Sequence, residues 1–179
     1  MRKTQSRRRG GRVLLLGAAV VAVIAAGNVH AGSSRKPAPE LALRDASGAT
    51  VRLSDYQGKV VLLDFWATWC GGCREEIPWF MEFEREYHDR GFAVLGVSMD
   101  EDGWSAVKPF VDERKINYRI VMGNERAARL YGGVEALPVA FLIDRTGKIA
   151  ATHVGTEAGK EGFRREIEGL LGTVHAPAR

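Results

Sequence analysis

Cysteine and histidine are scarce in this chain of 179 residues, which contains two cysteines and four histidines. A structural zinc site needs about four ligands of these types, and the histidines are scattered without a His-x₃₋₅-His pair. The scarcity therefore disfavours a metal site and isolates one Cys-x-x-Cys pair, Cys70 and Cys73. A purely structural disulfide there would close too small a loop to restrict the unfolded chain much. A redox-active dithiol is the favoured interpretation, with zinc binding and a structural disulfide as alternatives.

Acidic side chains are absent from residues 1–12, which hold six of the 26 basic side chains. The remainder carries 20 basic and 22 acidic side chains, so its net charge is −2 although the whole chain has +4. The basic character belongs to one terminus and does not indicate a phosphate-binding surface. We expect no nucleic-acid partner.

The N-terminal segment has no apolar run of about 20 residues, the length that a membrane-spanning helix needs. Its run covers residues 13–26 and is followed by Val29 and Ala31. A basic start, a run of this length and a small-residue site are typical of a secretory signal. We therefore predict a signal peptide over residues 1–31, with a retained membrane anchor as the alternative. Both place the protein in the cell envelope, outside the cytoplasm, where disulfides persist.

The rest of the chain is predicted to form one domain over residues 40–172, after a flexible linker over 32–39 and before a disordered tail over 173–179. Strand and helix patterns alternate and end in a hairpin and a final helix, which predicts an α/β fold with a mixed sheet. The predicted elements are a hairpin over 40–53, strands over 60–65, 92–99, 118–122, 139–143 and 149–154, and helices over 71–88, 104–115, 125–131 and 160–171.

Residues 60–78 join a buried strand to a helix through the cysteine pair. Residues 60–65 form an apolar run without alternation, typical of a strand buried on both faces, and Asp64 lies within it. A helical pattern begins at the cysteines, so Cys70 and Cys73 are predicted to lie in the first helical turn. Unpaired N–H groups and a partial positive charge at a helix N-terminus stabilise a thiolate.

Residues 64–73 (DFWATWCGGC) resemble the thioredoxin fold. The wider pattern, with DYQGK at 55–59, CREEIP at 73–78 and Leu137-Pro138 before the closing hairpin, resembles the TlpA/ResA-like branch of exported or membrane-anchored thiol-disulfide oxidoreductases. The resemblance implies a mixed central sheet flanked by helices, an N-terminal β-hairpin, and an inserted helix–strand element near residues 104–118. Members of the branch usually have proline at the position of Gly72 and often threonine at that of Val139.

The resemblance also implies roles for the residues around the pair. Cys70 is expected to attack, and Cys73 to resolve the mixed disulfide. Asp64, a buried carboxyl with a raised pKa, is expected to take the proton from Cys73, although a purely hydrogen-bonded carboxyl is the alternative. Glu76 shares a helix face with Cys73, where the branch often has a functional glutamate; an acid favoured only by the helix dipole is the alternative.

The substrate is expected to bind beside the pair. The branch implies a cis peptide bond before Pro138, which leaves the backbone of Leu137 free to pair with a substrate strand. Trp66 and Trp69 are expected to form an apolar rim, whereas His153 is interpreted as structural. The sequence thus predicts an exported disulfide reductase for protein cysteines, with cytochrome c maturation as a candidate process. It needs no cofactor, and a membrane thiol donor is its expected reductant.

Two other functions stay open as alternatives. A peroxidase of the peroxiredoxin type would carry a Pro-x-x-x-Thr-x-x-Cys motif, whereas FWATW precedes Cys70. A copper metallochaperone would use Cys-x-x-x-Cys and a distant histidine, but the spacing here is one residue short and only His153 is available.

Overall fold

The computed structural model describes residues 35–172. The predicted signal or anchor over residues 1–31 and the predicted tail over 173–179 lie outside the described residues. Between residues 35 and 172, no helix combines the length and the apolar content that crossing a bilayer requires.

Seven strands form one mixed sheet in the order β2-β1-β5-β4-β3-β6-β7. Strand β3 pairs in parallel with β4, and β4 with β5, while the other four neighbouring pairs are antiparallel. The predicted thioredoxin-like fold with a mixed sheet and an N-terminal hairpin is confirmed. The strands are β1 (Ala42–Asp45), β2 (Thr50–Arg52), β3 (Val60–Trp66), β4 (Phe92–Ser98), β5 (Arg119–Met122), β6 (Val139–Ile143) and β7 (Ile149–Val154).

Within residues 35–172, four α-helices accompany the sheet: α1 (Gly71–Tyr87), α2 (Trp104–Arg114), α3 (Glu125–Leu130) and α4 (Gly159–Leu171). Each begins and ends within about one residue of its predicted bounds. Helix α2 ends before Lys115 because that residue adopts a left-handed backbone conformation, with φ 56°. Helix α2 and strand β5 form the expected insertion, which places β5 between β4 and β1.

The hydrophobic core lies on both faces of the sheet, and β3 contributes to each face. Leu62 and Trp66 belong to the cluster that contains the buried residues of α1 and α4, whereas Leu63 and Phe65 belong to the cluster on the opposite face. Because side chains alternate along a strand, Asp64 points to the same face as Leu62 and Trp66. Burial on both faces explains the unbroken apolar run of β3.

The described end of the predicted linker, residues 35–39, is attached to the β6–β7 hairpin. The amide of Ala38 donates to the carbonyl of Gly147 over 2.9 Å, and the amide of Ile149 donates to the carbonyl of Lys36 over 2.9 Å. These residues therefore belong to the folded domain and not to a flexible linker, because their backbone groups are satisfied by the hairpin.

Candidate active site

Cys70 and Cys73 form a disulfide at the N-terminus of α1. Cys70 is the N-cap residue, and its Sγ accepts a hydrogen bond of 3.1 Å from the amide of Cys73, which lies in the first helical turn. Cys70 is 6% exposed and Cys73 is 1% exposed. The sulfur of Cys70 is therefore the more accessible to a partner, and in the dithiol form the helix N-terminus would stabilise its thiolate.

The turn before Cys70 is held at Thr68 by two side chains of opposite charge. The carboxylate of Asp100 accepts from the Thr68 amide at 3.0 Å, from the Thr68 hydroxyl at 2.6 Å and from the Ser98 hydroxyl at 2.9 Å. The Nε of Arg74 donates to the carbonyl of Thr68 over 2.8 Å. Asp100 is not among the site residues that the sequence predicts. Its position just after β4 was the available signal, because β3 and β4 are parallel and both end at this edge of the sheet.

Pro138 lies directly beside the disulfide loop. The peptide bond between Leu137 and Pro138 is cis, as predicted. A Cβ atom placed on Gly72 would lie 3.1 Å from Pro138 Cδ and 3.1 Å from Thr156 Cγ2. The side chain that Gly72 lacks would therefore crowd the groove between the loop, Pro138 and Thr156. Among residues 35–172, no backbone hydrogen bond engages Leu137, whose amide and carbonyl are thus available to another strand.

The two tryptophans near the pair differ in position. Trp69 is 68% exposed and lies next to Cys70, consistent with the predicted apolar rim. Trp66 is completely buried, and its ring centroid is 5.5 Å from that of Phe110 in α2. The prediction that Trp66 contributes to the rim is therefore wrong. Its position at the end of β3 turns its side chain towards the core beneath α2.

Asp64 and Glu76 form a pair of buried carboxyls on the α1 side of the sheet. Each residue is 1% exposed, and neither Oδ1 of Asp64 nor either carboxyl oxygen of Glu76 has a hydrogen-bond partner among the described residues. Burial raises the pKa of Asp64 to about 8. Burial, and then the charges of Asp64 and Glu75, raise the pKa of Glu76 to about 8. Near neutral pH both groups can therefore exchange a proton.

Glu76 does not have the setting that the helix dipole alone would favour. Helix α1 begins at Gly71 and has no acidic residue in its first turn, so Glu76 lies in the second turn. A dipole effect falls off within the first turn and suits an exposed carboxylate, whereas Glu76 is buried without a donor. Its position favours proton exchange over helix stabilisation.

His153 is engaged away from the disulfide. Its Nε2 lies 2.8 Å from Glu166 Oε2 in α4, and its ring centroid is 4.6 Å from that of Phe163. Within the part of the chain that the structure describes, no group of three or more histidine, cysteine, aspartate or glutamate side chains is arranged to hold a metal ion.

Comparisons with known proteins agree with this geometry. Residues 35–152 match the model of the AhpC/TSA family. Thiol-disulfide oxidoreductase ResA of Bacillus thuringiensis is 33% identical over 136 residues, which are 74% of this chain and 77% of that protein. ResA of Geobacillus thermodenitrificans is 35% identical over 133 residues, 74% of this chain and 75% of the relative.

Solved structures show the same fold. The crystal structure of a thiol:disulfide interchange protein of the DsbE type from Chlorobium tepidum superposes with a TM-score of 0.72 at 38% identity, covering 77% of this chain and 97% of its own. A second thiol:disulfide interchange protein of the thioredoxin family from Chlorobium tepidum gives a TM-score of 0.71 at 28% identity, covering 79% of this chain and 100% of its own. A thiol:disulfide interchange protein from Bacteroides gives a TM-score of 0.69 at 28% identity, covering 80% of this chain and 93% of its own.

Proposed function

The chain belongs to the AhpC/TSA family and is a thiol-disulfide oxidoreductase of the ResA type, and on that premise we propose that it is an exported reductase of protein disulfides. The observation that carries the proposal is the disulfide at the N-terminus of α1 together with two buried carboxyls on the same side of the sheet. A helix terminus supplies a stabilised thiolate, and carboxyls with a pKa of about 8 supply a proton acceptor near neutral pH.

The proposed reaction starts from the dithiol form. The Cys70 thiolate attacks one sulfur of a substrate disulfide, a mixed disulfide forms, and the other substrate sulfur leaves as a thiolate. Cys73 then loses its proton to Asp64 or Glu76 and attacks Cys70 Sγ. This step closes the Cys70–Cys73 disulfide and releases the second substrate thiolate. The substrate gains two electrons, and the protein is oxidised by two.

Substrate recognition is proposed to involve the surface around the sulfurs. The free backbone groups of Leu137 would pair with an extended substrate segment, and Pro138 would bring that segment against the disulfide loop. The exposed indole of Trp69 would cover the apolar side of the substrate. A cysteine pair in a Cys-x-x-Cys-His segment, as in an apocytochrome c, is the substrate class that we propose.

The reaction needs a source of two electrons after each turnover, and we propose a thiol donor in the membrane. The sequence of residues 1–31, with its basic start and apolar run, supports export or anchoring at the membrane. N-terminal sequencing of the protein from an envelope fraction tests this part. A terminus at Gly32 would indicate a cleaved signal, an intact terminus in the membrane fraction would indicate an anchor, and purely cytoplasmic protein would contradict export.

The exchange mechanism is tested by trapping. The Cys73→Ala variant keeps the attacking thiol but cannot resolve, so it should accumulate mixed disulfides with envelope proteins or with an oxidised Cys-x-x-Cys-His peptide. Mass spectrometry of the adducts identifies the partner. The matched Cys70→Ala variant should trap little; equal trapping by both variants, or trapping by Cys70→Ala alone, would show that attacker and resolver are assigned wrongly.

A hydroperoxide assay separates the proposal from peroxidase activity. The dithiol protein should reduce the peptide disulfide and consume hydroperoxide no faster than a simple dithiol does. Rapid peroxide consumption that depends on Cys70, without disulfide exchange, would replace the proposal with the peroxidase function.

A further inference from the structure

The buried polar atoms without a partner are concentrated in one place. In residues 35–172 there are five such side-chain atoms, and they belong to Asp64, Trp66, Glu76 and Tyr118. The indole Nε1 of Trp66 is a donor, the hydroxyl of Tyr118 can donate, and the three carboxyl oxygens are acceptors. Because buried polar groups are almost always hydrogen-bonded, unmatched donors beside unmatched acceptors require a physical explanation.

Strand pairing brings these side chains together over Gly96. Asp64 pairs with Gly96 across β3 and β4, and Gly96 pairs with Ile120 across β4 and β5. Tyr118 is two residues before Ile120 and therefore points to the same face, towards α1. A Cβ on Gly96 would lie 2.6 Å from Ile120 Cδ1, 3.0 Å from Trp66 Nε1 and 3.2 Å from Tyr118 Cε2, so these side chains fill the space over the glycine. The glycine thus makes room in which the tyrosine and tryptophan rings approach the side of Asp64.

The charged groups around Tyr118 keep its hydroxyl protonated. Burial raises its pKa well above the ordinary value, and the charges of Asp64 on β3 and of Glu76 and Glu84 on α1 raise it further. Of these acids, Glu84 is satisfied, since it accepts from the amide of Val94 at 2.7 Å and lies 2.9 Å from His88 Nδ1. Asp64 and Glu76 are the acids that still lack donors.

We infer that Tyr118 is a positioning residue for the acid pair: its hydroxyl and the indole N–H of Trp66 donate, through bound water, to the carboxylates of Asp64 and Glu76. A buried water needs two to four polar partners, and the four side chains supply them. The role in catalysis rests on the proposed function, because the carboxylates that Tyr118 stabilises are the proposed proton acceptors for Cys73.

The test is a pH titration of the carboxyl groups in Tyr118→Phe. NMR of protein labelled with ¹³C in the aspartate and glutamate side chains monitors their protonation. A donor to a carboxylate favours its charged form, so loss of the hydroxyl should raise the titration midpoints of Asp64 and Glu76. The expected upward shift is about one pH unit. The pH at which disulfide reduction reaches half its maximal rate should rise by the same amount.

Tyr87→Phe is the matched control. Tyr87 is also a buried tyrosine, but its hydroxyl pairs with Glu168 at 2.9 Å and Arg164 at 2.7 Å on α4. Its removal should leave the midpoints of Asp64 and Glu76 unchanged. Unchanged midpoints in Tyr118→Phe, with an unfolding temperature equal to or above that of the parent, would overturn the inference, since the hydroxyl would then be merely unpaired. The titration does not require turnover, so a failed exchange assay would count against the proposed function alone.

Discussion

Asp45 and Asp64 are both buried aspartates in strands of the same sheet, yet their surroundings differ completely. Asp45, at the end of β1, accepts from the Ser47 hydroxyl at 2.6 Å and from the amides of Ser47 and Ala49 at 2.9 and 3.0 Å, and it also pairs with Arg119. The Ser47 hydroxyl and the other donors hold the pKa of Asp45 below its ordinary value in spite of burial. Asp64 has no such donors at Oδ1, and burial raises its pKa to about 8.

The contrast shows that both the donors and the position in the sheet decide whether a carboxyl is ionised, because Asp45 lies at the end of β1 among several donors whereas Asp64 lies within the central strand β3. The charge of Asp45 is stabilised by its donors, so the residue stays ionised near neutral pH. Its hydrogen bonds to Ser47 and Ala49 hold the hairpin turn. Asp64 has no donor at Oδ1 among the described residues, and in the proposed reaction it is a candidate to accept the proton of Cys73. On α1, Glu84 accepts from the amide of Val94, whereas the carboxyl oxygens of Glu76 have no donor among the described residues.

The largest effect is expected when the proton acceptor itself is removed. Asp64→Asn should slow disulfide reduction at pH 7 because an amide cannot take the proton from Cys73. General acid–base catalysis contributes about 10²–10⁴-fold, and we expect the lower end because Glu76 remains. Single-turnover kinetics with an oxidised peptide measure the rate.

Asp45→Asn is the control for that measurement. It removes a buried carboxylate from the same sheet without touching the site, so its single-turnover rate should equal that of the parent while its stability falls. An unchanged rate and pH profile in Asp64→Asn would return Asp64 to a purely structural role.

A second effect concerns the stability of the oxidised protein between pH 5 and 7. A carboxyl whose folded pKa is raised binds a proton more tightly when folded, so its contribution is present below the unfolded pKa of about 4 and is lost as pH rises towards 8. Each such group should lower the free energy of unfolding by about 1.4 kcal/mol per pH unit. Urea unfolding at pH 5, 6 and 7 measures this dependence. The free energy of unfolding should fall less steeply with rising pH in Asp64→Asn than in the parent.

Asp45 should behave in the opposite way, because its folded pKa is lowered. Its contribution is present above the unfolded pKa and is lost only as pH falls through the folded value, so Asp45→Asn should leave the slope between pH 5 and 7 unchanged. Parallel declines for the parent and Asp64→Asn would contradict the raised pKa of Asp64.

The smallest expected effect is on the reduction potential, and it arises in the disulfide loop and not at the buried acids. Gly72→Pro reduces the freedom of the dithiol loop, which should favour the disulfide and lower the reduction potential by about 10–20 mV. The new side chain would crowd both Pro138 and Thr156, however, so the shift is expected to be larger in Gly72→Pro combined with Thr156→Ser, which lacks one of the two crowding groups, than in Gly72→Pro alone. Glutathione equilibration measures both potentials. A potential at or above that of Thr156→Ser alone would overturn this argument.

The sequence was sufficient to predict the fold, the disulfide pair and the burial of Asp64, because each depends on a local pattern or a motif. Trp66 was misplaced because a residue at the end of a strand can turn towards solvent or core, and only the packing of α2 decides between them. Asp100 and Tyr118 were missed because their importance arises from strand pairing between distant segments. The spacing of residues along the chain does not indicate that Gly96 leaves room for the rings of Trp66 and Tyr118.

The attachment of Lys36 and Ala38 to the β6–β7 hairpin has a mechanical consequence. This contact lies at the end of β6 opposite Pro138, and a five-residue strand spans about 17 Å. Any force transmitted through residue 35 therefore acts on the end of the sheet remote from the reactive sulfurs.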